Sequence, residues 1–319
     1  MILVTGGAGF IGSHVCDRLL AQGKKVICVD NLNTYYDPKT KKKNLSYSLK
    51  NKNFKFYKLD ITHYNQLTKI FAKHKITAII HLAARAGVRP SISNPHIYES
   101  VNIKGTLNLL DLAKKFGVKK FIFGSSSSIY GANKKVPFSE TDSVNNQISP
   151  YAVTKRAGEL FCKTYHELYG INITALRFFT VYGPRGRPEM APYRFVDKIH
   201  RGLPIDMYGD GSSARDYTYV SDIVDGIIVA LKKDFKFEII NLGDSRIIKL
   251  KSFIELIERI VGKQAKIIHK DMPDGDVPIT YADISKAKKL LGYKPQVNIE
   301  DGMRKFYDWY KRFGVGKSL

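Results

Sequence analysis

The chain has 319 residues, enough for one large domain or two medium ones, and its 44% hydrophobic and 25% charged content suits a globular protein with a sizeable core. No apolar run approaches the roughly 18–20 residues of a membrane-spanning helix, and the first strand pattern begins at Ile2 with no room for a signal peptide, so the expectation is a cytoplasmic protein without a membrane partner. The net charge of +23 is compatible with nucleic acid, yet only Lys39, Lys41, Lys42 and Lys43 form a run and no nucleic-acid motif accompanies them; a solvated basic surface that attracts a small anion is expected, with no nucleic-acid partner.

Strand and helix patterns alternate along the first part of the chain. Residues 2–5, 25–30, 54–59, 78–81, 120–124 and 172–177 read as short apolar strands, and 10–22, 64–74, 95–116 and 150–169 as amphipathic helices. That order predicts an α/β fold with a doubly wound parallel sheet. Residues 33–53 are polar and lysine-rich, a loop with one short helix. After Thr180 the prolines at 184, 188, 192 and 204 break the rhythm. The expected division is a cofactor-binding unit at 1–177 and a smaller interleaved α/β substrate-binding unit at 178–319, some of whose segments return to the first. Cys16, Cys28 and Cys162 are far apart and odd in number, with no Cys-x-x-Cys pair, so they read as core residues. The histidines lack ligand spacing, His81 reads as structural, and no metal is expected.

Between the first strand and first helix lies Gly6-Gly7-Ala8-Gly9-Phe10-Ile11-Gly12. Glycines at 6, 9 and 12 permit a tight turn, close approach of backbone amides to a pyrophosphate, and close helix-strand packing. Asp30 ends the second strand, eighteen residues past Gly12, where a carboxylate can take the adenosine ribose hydroxyls. Asn31-Leu32-Asn33 offers no arginine for a 2′-phosphate, so the expected cofactor is NAD.

Further along, Ser149-Pro150-Tyr151-Ala152-Val153-Thr154-Lys155 starts a helix with a capping serine and a proline in its first turn. Tyr151 and Lys155 share a helix face. An ammonium beside a phenol favours phenolate and predicts a lowered tyrosine pKa, which makes a useful base. An ordinary surface helix can show the same spacing.

The glycine loop, Asp60-Ile61, His81-Leu82-Ala83-Ala84, the four serines at 125–128 before Ile129-Tyr130-Gly131, and Tyr151-x-x-x-Lys155 together resemble the extended short-chain dehydrogenase/reductase family with its Rossmann fold, and within it the nucleotide-sugar epimerases. The resemblance implies that Gly6, Gly9, Phe10, Ile11, Gly12 and Asp30 hold NAD, that Asp60 and Ile61 contact the adenine, and that Ala83 lines the cofactor cleft. It gives Lys155 the nicotinamide ribose, makes Tyr151 the base, and places the catalytic serine at Ser126. In related dehydratases and decarboxylases an acid stands near Ser127 or Ser128; two serines there imply hydride transfer out and back at C4 of a UDP-sugar.

The run from Arg177 to Met190, with Thr180 and Arg187-Pro188-Glu189-Met190, looks like that of UDP-glucuronate 4-epimerases. A planar guanidinium binds a carboxylate through two parallel hydrogen bonds, which makes Arg187 the candidate for a uronate, with Thr180 in support and Arg85 and Arg89 as further candidates. Pairing of Arg187 with Glu189 or a phosphate is the alternative. Arg215 and Asp276 resemble the family's grip on the nucleotide diphosphate, although Pro273 stands where an arginine is common. Substrate-binding candidates are thus Ser126, Ser127, Ser128, Thr180, Arg187, Arg215, Asp276 and Arg89. Open alternatives are a neutral UDP-hexose or UDP-N-acetylhexosamine as substrate, and an NAD-binding regulator without turnover. The resemblance also implies a homodimer joined through helices 95–116 and 150–169.

Overall fold

A computed structural model describes residues 1–272 and 277–314. In chain order the elements are β1 (Ile2–Thr5), α1 (Phe10–Ala21), β2 (Val26–Asp30), α2 (Pro38–Asn44), β3 (Phe54–Lys58), α3 (Tyr64–Lys73), β4 (Ala78–His81), α4 (Val88–Ser93), α5 (Pro95–Tyr98), α6 (Gly105–Lys115), β5 (Lys120–Ser126), α7 (Pro150–Tyr169) and β6 (Asn172–Phe178). There follow β7 (Thr180–Tyr182), α8 (Ala191–His200), β8 (Ile205–Tyr208), β9 (Ala214–Tyr219), α9 (Val220–Lys232), β10 (Phe237–Leu242), β11 (Ile247–Lys249), α10 (Leu250–Val261), β12 (Ile267–Lys270), β13 (Ile279–Thr280), α11 (Ser285–Leu291) and α12 (Ile299–Phe313).

Seven strands make one sheet in the order β10-β6-β5-β4-β1-β2-β3, every pair parallel. The doubly wound sheet expected from the sequence is therefore present. Its central strands are buried on both faces, as parallel strands covered by helices must be, and are apolar up to a polar last residue (Thr5, Asp30, His81) at the carboxyl edge. One core packs α1 and α9 against the sheet through Val15, Cys16, Leu19, Ile223 and Ile227. The opposite face carries α3, α6 and α7 through Leu67, Phe71, Leu109, Leu112 and Cys162. The seventh strand, β10, comes from beyond residue 178 and lies beside β6. Among the described residues, β9 pairs with β7, β11 and β13, and β8 with β12, in two small sheets. No helix among them is long and apolar enough to cross a membrane.

Two local differences from the sequence reading matter. The helix expected over 95–116 contains a wide π-helical turn, Glu99–Lys104, between α5 and α6. Its Asn102 is buried and uses its side chain away from the helix: Oδ1 accepts from the Arg85 amide (2.7 Å), while Nδ2 donates to the Arg85 carbonyl (3.0 Å) and to Thr154 Oγ1 (2.9 Å). The turn thereby ties the 83–88 loop to α7, and such wide turns often accompany functional sites. The second difference is β5, which runs two residues past the expected end and carries Ser125 and Ser126 to the rim of the sheet.

Candidate active site

The carboxyl ends of β1, β2, β4, β5 and β6 open on one cavity of about 370 Å³. Ligands gather at that edge of a parallel sheet. Its wall contains Gly6, Gly9, Phe10, Ile11, Gly12, Asp30, Asp60, Ile61, Ala83, Ser126, Ser127, Ser128, Tyr151, Lys155, Thr180 and Arg187. Residues scattered across the sequence thus meet in one place.

The glycine loop is shaped for a bulky anion. Gly6 has φ +71°, and a Cβ there would sit 2.6 Å from the Ala83 backbone nitrogen; at Gly12 it would meet the Gly6 oxygen at 2.1 Å. Helix α1 begins at Gly9 with no side-chain cap, so its first amides have no intrahelical acceptor and face the cavity as donors for phosphate. Asp30 accepts from the Ala8 amide (3.1 Å) and the Leu32 amide (2.9 Å), which fixes its carboxylate and leaves lone pairs for ribose hydroxyls. Burial pushes its pKa up, opposed by those amides and by Lys41. At Asp60 burial acts in the same direction, but the Thr62 amide and hydroxyl and the Asn31 amide outweigh it and hold the carboxyl below its ordinary value. These donors and acceptors fit a dinucleotide.

His81 is structural. Thr106 gives its hydroxyl proton to the Asn102 carbonyl (2.6 Å), so its oxygen accepts from His81 Nε2 (2.9 Å), and His81 Nδ1 accepts from Thr5 Oγ1 (2.7 Å). Burial lowers its pKa to about 3, so the ring is neutral.

Helix α7 starts as its sequence predicts. Ser149 Oγ accepts from the Ala152 amide (3.2 Å), Pro150 occupies the first turn, and Gly170 ends the helix in a left-handed conformation. Tyr151 and Lys155 both face the cavity, but their electrostatics differ from expectation. Lys155 Nζ donates to the Gly124 carbonyl (2.7 Å) and lies over the Phe123 ring; burial lowers its pKa to about 8. Tyr151 is pushed up by burial, not down, and the groups that oppose this are the Ser126 hydroxyl and the Arg187 guanidinium. The lysine is anchored to the sheet, so the cation acting on the phenol comes from the 183–190 loop.

The four serines divide their work. Ser125 Oγ turns inward to Glu159 Oε1 (2.7 Å), a buried carboxylate that also holds Arg177 through Nε and Nη2, both at 2.9 Å. Ser126 Oγ reaches Ser128 Oγ (3.1 Å) on the cavity side. Thr180 opens β7 in the same wall. Arg187 shares this lining, with Nη1 3.1 Å from Glu189 Oε1 and Nη2 3.1 Å from Met190 Sδ.

Other candidates lie elsewhere or outside the described residues. Arg89 stacks over the Tyr208 ring and Arg215 donates to the Ala214 and Pro278 carbonyls; neither lines the cavity. Asp276 and Pro273 are outside the described residues. Conversely, the cavity wall includes Tyr35, Tyr36 and Lys41, which sequence reasoning passed over. Lys41 is buried and donates to both oxygens of Asn33 (2.8 and 2.7 Å). The available signal was Asp37-Pro38, a cap and first-turn pair that starts α2 and turns Lys41 and Asn44 inward.

A model of the NAD dependent epimerase/dehydratase family matches residues 2–243. The chain belongs to that family. Its cofactor is NAD, consistent with the glycine cradle and Asp30. Among relatives, a UDP-glucuronate 4-epimerase of Thermodesulfobacterium geofontis is 50% identical over 310 residues, covering 97% of this chain and 95% of that protein. Among solved structures, the UDP-glucuronic acid 4-epimerase of Bacillus cereus, in complex with UDP-glucuronic acid and NAD, superposes with a TM-score of 0.92 at 39% identity, covering 97% of this chain and 98% of that one. The UDP-glucose 4-epimerase of Thermotoga maritima, with UDP-glucose, gives 0.90 at 37% identity over 97% and 98%. Both substrate types thus occur among this chain's relatives in the epimerase family.

Proposed function

We infer that this member of the family is an NAD-dependent UDP-sugar 4-epimerase whose substrate is UDP-glucuronate, interconverted with UDP-galacturonate through a transient 4-keto sugar. The observation that carries the choice of sugar is Arg187, a guanidinium in the wall that holds Tyr151 and Ser126, near enough to act on the phenol. A cation in the same lining as the residues assigned to the sugar O4 suits a carboxylate on the neighbouring C5. The identity to the Thermodesulfobacterium enzyme supports the same reading.

When bound, NAD supplies an acceptor for the C4 hydride and a donor for its return. The residues assigned to it are the first amides of α1 for the diphosphate, Asp30 for the adenosine ribose, Asp60 and Ile61 for the adenine, and Lys155 for the second ribose. Tyr151 takes the proton from the sugar O4 as the carbonyl forms and gives it back as the carbonyl is reduced. Ser126 hydrogen-bonds the same oxygen and, with Arg187, lowers the cost of the phenolate that burial opposes. Serines at 127 and 128, where related dehydratases carry an acid, favour return of the hydride over elimination. The 4-keto uronate is a β-keto acid and loses carbon dioxide when the scissile bond stands perpendicular to the ketone plane. Arg187, holding the carboxylate near that plane, suppresses the loss.

A homodimer fits the outer face of α7, where Val153, Leu160 and Leu168 are exposed apolar side chains spaced by seven and eight residues. The basic chain fits a cytoplasmic enzyme that meets anionic nucleotide sugars, such as those used for polysaccharides.

The test is turnover of UDP-glucuronate and UDP-glucose side by side on the purified holoenzyme, with mass spectrometry of the released cofactor. UDP-galacturonate without UDP-pentose is expected. Conversion of UDP-glucose alone would transfer the assignment to a neutral sugar, the reading favoured by the Thermotoga structure. Tyr151→Phe should lower kcat about 10²- to 10⁴-fold while the protein keeps its NAD.

A further inference from the structure

The contact between Arg187 and Glu189 has a consequence for selectivity. Arg187 Nη1 lies 3.1 Å from Glu189 Oε1, yet the nitrogen is buried without an aligned hydrogen bond. Its other terminal nitrogen donates, among the described residues, to the thioether of Met190, a weak acceptor. Both prongs of the fork that would grip a substrate carboxylate are therefore engaged, and both loosely.

The two partners differ in freedom. Arg187 sits on a backbone pinned to α1: His14 Nε2 donates to the Pro184 carbonyl (2.8 Å) and Arg185 pairs with Asp17 (2.7 Å). Within the loop, the Gly186 amide donates to the Gly183 carbonyl (3.0 Å) and the Met190 amide to the Arg187 carbonyl (3.1 Å). The side chain of Arg187 is 21% exposed and that of Glu189 37%. Glu189, the more exposed of the two side chains, can turn into water, whereas Arg187 is the more enclosed and stands on the pinned stretch of the loop. The Tyr36 hydroxyl, buried with no hydrogen-bond partner among the described residues, is acted on first by the charge of Asp30 and then by Arg187 and Glu189, so it lies between the dinucleotide cradle and this pair.

Resting on the uronate reading, we propose that Glu189 is a specificity-determining residue that acts through Arg187: its carboxylate occupies the guanidinium when no substrate carboxylate is there, and is exchanged for the C6 carboxylate of the uronate on binding. Two effects follow. The exchange weakens uronate binding, because one carboxylate must be displaced by another. It also eases binding of neutral sugars, because Arg187 then remains paired beneath them instead of being buried alone. Glu189 thus narrows the preference for uronate that Arg187 creates.

The experiment compares wild type and Glu189→Gln as NAD-loaded holoenzymes, measuring KM and kcat for UDP-glucuronate and for UDP-glucose, with the melting temperature as a check on folding. The expected result is a KM for UDP-glucuronate about two- to fivefold lower, the range set by a competing half-exposed ion pair. The kcat should be unchanged and the KM for UDP-glucose should not fall. An unchanged or raised KM for UDP-glucuronate overturns the exchange and makes Glu189 a support for Arg187. Glu189→Ala gives a second reading: it should raise the uronate-to-glucose ratio of kcat/KM at least as much, and a lowered ratio also overturns the proposal. Wild-type protein that turns over UDP-glucose but not UDP-glucuronate would defeat the uronate reading itself, a result separable from either variant's.

Discussion

Where the cleft is assigned to the cofactor its wall owes much to backbone, whereas where it is assigned to the sugar it owes more to side chains. Gly6, Gly9 and Gly12 contribute amides and space, and Asp30 is clamped by two amides. Arg187 and Met190 reach in from a segment without regular structure. A backbone site tolerates almost no change, because one added methyl collides with main chain that cannot move. A side-chain site can be retuned one residue at a time. The family keeps one cofactor while its members take different sugars, and this division of materials accounts for it.

The largest effect should come from the backbone end. Gly6→Ala puts a methyl 2.6 Å from the Ala83 nitrogen at a φ of +71°. Backbone strain alone costs about 1–3 kcal/mol, and the clash pushes β1 and β4 apart where the cofactor sits. Protein purified with this change should carry no NAD by mass spectrometry and show no turnover. Retained NAD would mean that the loop has more slack than its contacts indicate.

At the other end the loss should be graded. Arg187→Ala would remove the charge-assisted hydrogen bonds proposed for the uronate carboxylate, an expected loss of about ten- to hundredfold in kcat/KM for UDP-glucuronate. NAD content should be unaffected, and turnover of UDP-glucose should change less. Equal loss of uronate turnover and of NAD would make Arg187 a structural residue of the loop and erase the contrast between the two ends.

The same contrast explains what could be read from sequence. Gly6, Gly12 and Asp30 obey strict local spacing because strand, turn and helix are adjacent in the chain, and the parallel sheet follows from the same alternation. The π-helical turn at 99–104 was not legible: 95–116 keeps its amphipathic pattern through the turn, and the widening only shows once Asn102 is seen bonding the Arg85 loop. Lys41 looked like part of a solvated run, because burial of one lysine in four depends on what packs over α2. The pairing of Lys155 with the Gly124 carbonyl, rather than with the phenol of Tyr151, involves a strand some thirty residues earlier. Helix spacing sets which residues share a face; it does not set which partner across the sheet each one takes.

Ser125 and Ser126 test that distinction at the scale of neighbouring residues. A strand points successive side chains to opposite faces, so at the end of β5 one hydroxyl enters the core and the next enters the cleft. The Glu159 carboxylate receives Arg177 Nε and Ser125 Oγ on one oxygen, and Arg177 Nη2 and Arg156 Nη1 on the other, which fills its acceptor sites. Ser125→Ala removes one of four donors from a buried charge that keeps three, so the loss should be about 1 kcal/mol, a fall of a few degrees in melting temperature. Its kcat should stay within about twofold of wild type, whereas Ser126→Ala should lower kcat with the melting temperature little changed. If Ser125→Ala lowered kcat as Ser126→Ala does, the ion pair behind β5 would have to be holding the catalytic rim in place as well as the sheet.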